Sequence, residues 1–541
     1  MRISKLFLVL ATAVFAFSSC KKTTQDLADA IPADMGYVVH INTQSMIEKS
    51  NYDIFKNVTV QRGINMAKAM IGSEQSVVDM IDAFTKDVNS LGLNLKNEAY
   101  FYTDYKTFGV ILGVNNADKL KQSLLNIPNM KESEMLKEED GIHYISMGNN
   151  GVFAWNKEKF LIIASMNMYN YRNSNNESVD MLAMAKKQLT QGKDQSIRSK
   201  EAFAKFEGNK KDISVFYAYS PDMFKSMFAM SGITLPEGAS AELDKLDGVS
   251  QGMYISFEKG EIAASNDMFY NSAEIEAKYK ELGASICGEL KGEQLKYIAE
   301  NPIFVMSANL KGAGIYDFLK RIGVIEKIED EVNDEENGIN VQSIVSNIEG
   351  DITLGLTNIL SIKKERSWGE YDSTFPEFSL MMDMKDGKSL FDLLKMAIGK
   401  AESEDLKQID ENTYSGDIEG TTAYVGLTNN MLYFTNSEAT YNAIKSSSTI
   451  SKGYDALAKG KAVMFAGNIK SLKAPVLKEV SDKEANTLLG EFIDLFDKYE
   501  YAGSNEDANG KLAVTDSSKN SLAVIFQYVD KLLTAMNDKM R

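Results

Sequence analysis

Apolar and polar residues alternate with period two through much of this chain. In "AYFYTDY" (residues 99–105), Tyr100 and Tyr102 point one way and Phe101 the other, as in a pleated strand with two distinct faces. Asn149-Asn150-Gly151, Lys259-Gly260 and Asn509-Gly510 stand between such runs, where a hairpin needs turn residues that tolerate positive φ, so they predict antiparallel pairing. A 3.6-residue period takes over in "MAKAMIGSEQSVVDMIDAF", where Met66, Met70, Val77, Met80, Ile81 and Phe84 recur on one helical face. Strands grouped into hairpins, with amphipathic helices between the groups, predict an α+β fold with antiparallel sheet covered by helices on one face.

The element order repeats. Residues 94–127 read strand, strand, polar turn, helix, and residues 349–398 read the same with a longer excursion around Trp368. Closely spaced strands follow each, at 142–165 and 412–437, and both halves open on a strand leading into a helix and close on a late hairpin. The expectation is two related halves, residues 31–295 and 296–541, with 94–165 superposing on 349–437 and the Trp368 excursion lying outside the common sheet. At 541 residues and 44% hydrophobic content, the chain can bury two full cores.

The first residues follow another rule. Leu6 to Phe17 is unbroken apolar sequence after Arg2 and Lys5. As a helix it would rise about 18 Å, too little for a hydrocarbon core of roughly 30 Å. Basic residues, a short apolar run and then Ser18-Ser19-Cys20 describe a secretory leader. The segment resembles the lipobox of bacterial lipoproteins, with Phe17 in place of the usual Leu. That resemblance implies removal of residues 1–19, acylation of Cys20 and a polar spacer over 20–30. Several acyl chains hold a protein durably where one holds it marginally, so membrane attachment needs no spanning helix. Lys21 and Lys22 stand where surface-exported relatives carry acids, which predicts the periplasmic face of the outer membrane, with the cell surface as the alternative.

Charge narrows the partners. The formal charge is −17, or −19 once Arg2 and Lys5 leave with the leader, and no basic stripe offers a footprint for nucleic acid. Cys287 is then the sole thiol of the body, and the expectation is a buried, unreactive side chain.

"SSCKK", the spacer and "AIPADMGYVVHINTQSMIEKS", with the "SI…F" helix ahead of a central strand, resemble a Bacteroidetes envelope lipoprotein family catalogued as domain of unknown function 4836. The resemblance spans nearly the whole mature chain. It implies localisation and carries no catalytic residues to transfer.

Few residues of the chain fall in chemically recognisable patterns. The two histidines, His40 and His143, each lie on a predicted strand without a second histidine at ligand spacing. "GVSQG" (Gly248 to Gly252) matches a nucleophile elbow, but a helix precedes it, a hairpin follows it and both histidines come earlier. "SIKK" (Ser361 to Lys364) falls in a strand region without its partner motifs, and "DGKS" (Asp386 to Ser389) lacks the first glycine of a phosphate loop. Asn505, Asp507, Asn509, Gly510 and Asp516 have the spacing of a calcium loop, yet position 1 is a neutral Asn and Asp replaces the bidentate Glu. They are a subordinate calcium candidate beside the hairpin reading of Asn509-Gly510.

The acidic run Ile328 to Gly338 reads as a solvated loop. Ser373 within Asp372-Ser373-Thr374 is a candidate O-glycosylation site, expected in a loop because Phe375-Pro376 follows. Trp155, Trp368 and the pairs Tyr100/Tyr102 and Tyr169/Tyr171 are the aromatic groups available to a glycan surface; the tyrosine pairs read first as ordinary sheet tyrosines. With 27 methionines, packing of irregular cores or adaptable surfaces is expected. These features predict a lipid-anchored, non-enzymatic envelope protein that binds a partner protein or ligand, with no catalytic set and no cofactor. The alternatives are a glycan-active enzyme using paired carboxylates, marked by a cleft with two close carboxylates beside tyrosines, and a carrier of apolar ligands, marked by a Met-lined cavity.

Overall fold

The computed structural model describes residues 26–539 except 72–74, 105, 126–135, 148–149, 166–179, 231–234, 334–338, 367–368 and 401–405. Cys20, its leader, Trp368, Tyr169 and Tyr171 lie outside the described residues.

Among the described residues, ten strands form from the first half of the chain: β1 (Tyr37–Ile41), β2 (Leu93–Thr103), β3 (Thr107–Val114), β4 (Leu136–Glu139), β5 (Ile142–Ser146), β6 (Gly151–Trp155), β7 (Lys159–Ser165), β8 (Ile213–Ala218), β9 (Val249–Glu258) and β10 (Glu261–Tyr270). Ten more follow: β11 (Phe304–Lys311), β12 (Ile348–Arg366), β13 (Gly369–Met384), β14 (Leu406–Asp410), β15 (Thr413–Ile418), β16 (Thr421–Thr428), β17 (Met431–Thr435), β18 (Val463–Asn468), β19 (Phe496–Gly503) and β20 (Asp507–Val514). All pair antiparallel in one sheet. The first set runs β4-β5-β6-β7-β3-β2-β1-β8-β9-β10 across it. The second runs β14-β15-β16-β17-β13-β12-β11-β18-β19-β20. Strands β10 and β20 join the sets, from Glu261 opposite Ala513 to Asp267 opposite Asp507. Together with the helices between strand groups, this is the α+β class.

Local chemistry explains the hairpins. Asp140-Gly141, Glu419-Gly420 and Asn429-Asn430 are two-residue turns with positive φ at both positions, the geometry whose twist matches that of the flanking strands. Lys259-Gly260 turns β9 into β10, as its sequence suggests. Asn509-Gly510 does not form a turn. Both residues lie inside β20, paired with Ala502 and Tyr501 on one side and with Ser265 and Ala264 on the other, and the chain reverses at Ser504–Glu506 instead. A Cβ at Gly510 would stand 3.2 Å from the Tyr501 ring, closer than an ordinary contact, so the glycine lets that ring lie against the strand.

Three further expectations change. The segment Met66–Phe84 falls in two helices, Val58–Ile71 and Gln75–Lys86. The start of the acidic run, residues 328–332, is helical within Ile325–Val332, with Tyr316 Oη donating to Glu329 at 2.7 Å, while residues 334–338 lie outside the described residues. Ser373 lies in β13 rather than a loop, opposite Ile362. The β12–β13 hairpin extends beyond Leu356 as a two-stranded arm, and Pro376 is tolerated there because no third strand needs its missing N–H.

Helices also cover both sheet faces of the first half, not one. Tyr100, Tyr102, Ile111, Leu161 and Ile163 pack beneath helices Met181–Thr190 and Glu201–Asn209 with Phe203 and Phe206. Ala99, Val110, Leu112, Phe153, Trp155 and Phe160, the alternate residues, form a second core with Leu120 of helix Ala117–Leu125. Period two in these strands separates two buried faces rather than a buried and a wet one.

Candidate functional site

Strands β13, β16 and β17 lie side by side, and alternation places Leu380, Met382, Val425, Leu432 and Phe434 on one face. Helix Gly387–Lys400 crosses that face with Leu390, Leu393 and Leu394, whose i, i+3, i+4 spacing turns them to one side. Ile344 of helix Val341–Ser346 and Ile339 close another wall. Between these groups lies an apolar cavity of about 370 Å³. Pockets of this size bind small ligands, and an apolar lining excludes a charged occupant, whose desolvation nothing here would offset.

Polar groups frame the cavity from outside. Asn347 accepts the backbone N–H of Asp386 through its Oδ1 at 2.6 Å and donates Nδ2 to the Asp386 carbonyl at 2.8 Å. Asp386 in turn caps its helix, accepting the Ser389 N–H at 3.1 Å. The two helices are thereby tied together at one end.

A charged cluster lies in the first half. Its carboxylate, Glu98, sits where β2 bulges, between Asn94 and Ala99. Glu98 Oε2 accepts from His40 Nε2 at 3.1 Å and from Lys210 Nζ at 3.2 Å, while Lys210 also donates to Tyr100 Oη at 2.6 Å. Burial pushes the His40 imidazole below its ordinary pKa despite Glu98. Burial also raises Glu98, but His40 and Lys210 outweigh it and hold the carboxyl below its ordinary range. The Tyr100 phenol is pushed well up, by burial first and the Glu98 charge second. The cluster holds a neutral imidazole, an ion pair and a neutral phenol. In the second half Asp351 lies one residue before the pair Ile352–Ala308. It is buried, accepting from the Lys291 and Gly292 amides and from Asn309 Nδ2 at 2.8 Å, which ties the 288–295 segment to the sheet.

The other singled-out residues scatter. His143 is buried against the Trp155 ring, centroids 5.3 Å apart, with Nδ1 3.1 Å from Glu138. Ser250 opens β9 within a hairpin, and Ser361 to Lys364 lie in the β12 arm. Of the calcium candidates, Asp507 bonds Ser504 and pairs with Lys461 at 3.2 Å, Asn509 is a ladder residue in β20, and Asp516 binds Ser518 and Lys519. No group of three or more metal-ligating carboxylate, histidine or cysteine side chains converges among the described residues. Tyr100 and Tyr102 are core residues, Tyr102 Oη being engaged by Gln188. Cys287 is half-buried, and burial raises its thiol pKa.

A family model described as domain of unknown function (DUF4836) matches residues 28–522. The chain belongs to this family. Similar solved structures are two crystal forms of TP0453. Form III is 10% identical over 49% of this chain and 90% of that one, with a TM-score of 0.24. Form I is 9% identical over 46% and 80%, with a TM-score of 0.23. No curated protein matches. No described helix of this family member is long and apolar enough to cross a membrane.

Sequence reasoning did not reach the cavity. Leu390, Leu393 and Leu394 signal a buried helix face, but spacing does not say how far the helix stands from the sheet. Only Met382 among the lining residues is a methionine, so methionine density pointed elsewhere.

Proposed function

We propose that the chain is a non-enzymatic envelope lipoprotein, tethered through acylated Cys20 to the outer membrane facing the periplasm, that binds an apolar ligand in its second half. The observation that carries this reading is the cavity of about 370 Å³ lined by aliphatic and aromatic side chains. Dry apolar cavities of about 150 Å³ already bind benzene; this one has room for part of an acyl chain. The leader, Cys20 and the acidic body support the envelope placement.

The same reading treats residues 31–295 and 296–541 as two copies of one unit, and the register supports it. The two-residue turns Lys157-Glu158 and Asn429-Asn430 take corresponding places before β7 and β17. Following the pairings strand by strand from them gives Ser265 in β10 the place of Asn509 in β20. Those two residues face each other, so the junction is a local two-fold axis.

The test is binding of N-phenyl-1-naphthylamine to the purified mature protein, followed by fluorescence, with native mass spectrometry for co-purifying lipid. Saturable binding that Val425→Phe abolishes is expected; binding unchanged by that variant would remove the cavity as the site. Mass spectrometry of the N-terminus should show acylated Cys20, and Cys20→Ala should release the protein from membranes. A mature protein starting elsewhere would end the tether.

A further inference from the structure

A second concavity in the same half differs in chemistry. The ends of β18 and β19 and the loops before β11 and β18 surround a cleft of about 440 Å³. Its frame is internally bonded. The Asn468 amide donates to the Pro302 carbonyl at 2.9 Å, Gly453 N–H donates to Ser451 Oγ at 3.1 Å, and Ser471 Oγ donates to the Asn301 carbonyl at 3.2 Å. Tyr499 Oη donates to the Ile303 carbonyl at 3.2 Å, so the ring lies over Gly467, where a Cβ would come within 2.5 Å of that hydroxyl. One aromatic wall is therefore fixed by a glycine.

Side chains around this frame keep unused hydrogen-bonding capacity. Among the described residues, the Glu300 carboxylate, the Asn301 amide, the Lys452 ammonium and the Tyr454 hydroxyl have no protein partner, and all four line the cleft. Burial, with Glu500, Tyr499 and Glu300 nearby, pushes the Tyr454 phenol up to about 12, so it stays a donor at neutral pH. Glu500 pairs with Lys498 at 2.7 Å and Lys511 at 3.1 Å. Burial raises its carboxyl, but the two lysines outweigh that and hold it below the ordinary range, the opposite of what a glycosidase acid needs. The lining charges balance, Glu300 and Glu500 against Lys452 and Lys498, so the cleft favours neither an anion nor a cation.

We infer that this cleft binds a neutral saccharide without cleaving it. Hydroxyl groups both donate and accept, matching the mixed carboxylate, amide, ammonium and phenol, and the tyrosine rings offer apolar faces to the sugar. This reading is independent of the apolar cavity, and its failure would leave that proposal standing.

The experiment is calorimetric titration of the mature protein with maltohexaose, cellohexaose, xylohexaose and chitohexaose, and with inorganic phosphate as the charged probe. Glu300→Gln and Tyr454→Phe are the variants, since neither removes packing volume, and each is checked for an unchanged melting temperature. At least one hexasaccharide should bind with a Kd of about 1 mM or tighter, and at least one variant should weaken it about tenfold. No binding of any hexasaccharide, binding unaltered in both folded variants, or tighter binding of phosphate would each overturn the inference. Release of shorter sugars on incubation would overturn its non-catalytic part.

Discussion

Strands β3, β6 and β7 and strands β13, β16 and β17 take corresponding places in the sheet, yet their side chains treat the same face differently. Phe160 sits opposite Leu112 and Trp155, and Leu432 sits opposite Met382 and Leu427. Phe153, Trp155 and Phe160 are thus matched by Val425, Leu427 and Leu432. In the first half these aromatics are buried, with Phe55, Phe84 and Leu120 packed against them. In the second half Met384, Phe391 and Leu432 are the buried members of the cluster, and a cavity remains. Backbone pairing sets which residues face inward, while the volume of those residues sets whether the layer closes. The comparison separates a face that supplies stability from one that supplies space.

The largest test removes the filling. Trp155→Ala in a fully buried site should destabilise the protein by about 3–5 kcal/mol, read from urea unfolding. A loss under about 1 kcal/mol would mean that the first-half face is not closed by its aromatics. The reciprocal change, Val425→Phe, imports the first-half residue into the hollow. It should leave stability unchanged or raise it by about 1 kcal/mol, whereas a well-packed core would lose about 1–3 kcal/mol on overpacking. Together the variants invert the comparison.

A smaller difference lies in titration. His40 faces Tyr100 in the first half; the matching pair in the second is Ser307 and Thr353, joined by a 2.8 Å hydrogen bond. The folded state lowers the His40 pKa, so the unfolded chain takes up that proton first as pH falls through about 6.5, and stability declines. Glu98 is also lowered, so its contribution is present above the unfolded value near 4.5 and is lost as pH falls through the folded pKa. Urea midpoints should therefore fall from pH 7.5 to pH 4, and His40→Asn should flatten the upper part of that slope. An unchanged slope between pH 7.5 and 5.5 would assign the pH dependence elsewhere.

Much of the architecture was legible. Alternation in "AYFYTDY" placed Tyr100 and Tyr102 together and Phe101 opposite, and the grouping of hairpins and helices anticipated the antiparallel α+β class. The misreadings share one cause. Asn509-Gly510 and Phe375-Pro376 carry strong turn chemistry, but β20 is held by neighbours on both sides, and β13 is held by a long partner strand. Long-range pairing outweighs a local preference worth about 1 kcal/mol. The single-face expectation failed because period two reports that two faces differ, not that one is wet.

Order and alternation are properties of the chain alone, since bond geometry sets the two-residue period and steric limits set the turn residues. They determined that strands and amphipathic helices build an antiparallel α+β fold and which residues of a strand share a face. The distance between a helix and its sheet, the convergence of Glu300, Lys452 and Tyr454 on one cleft, and the burial of His40 beside Glu98 depend on residues far apart in sequence. Those features were decided only in the tertiary structure, because cavity volume and electrostatic environment depend on everything packed around a site, and no local window of sequence contains that information.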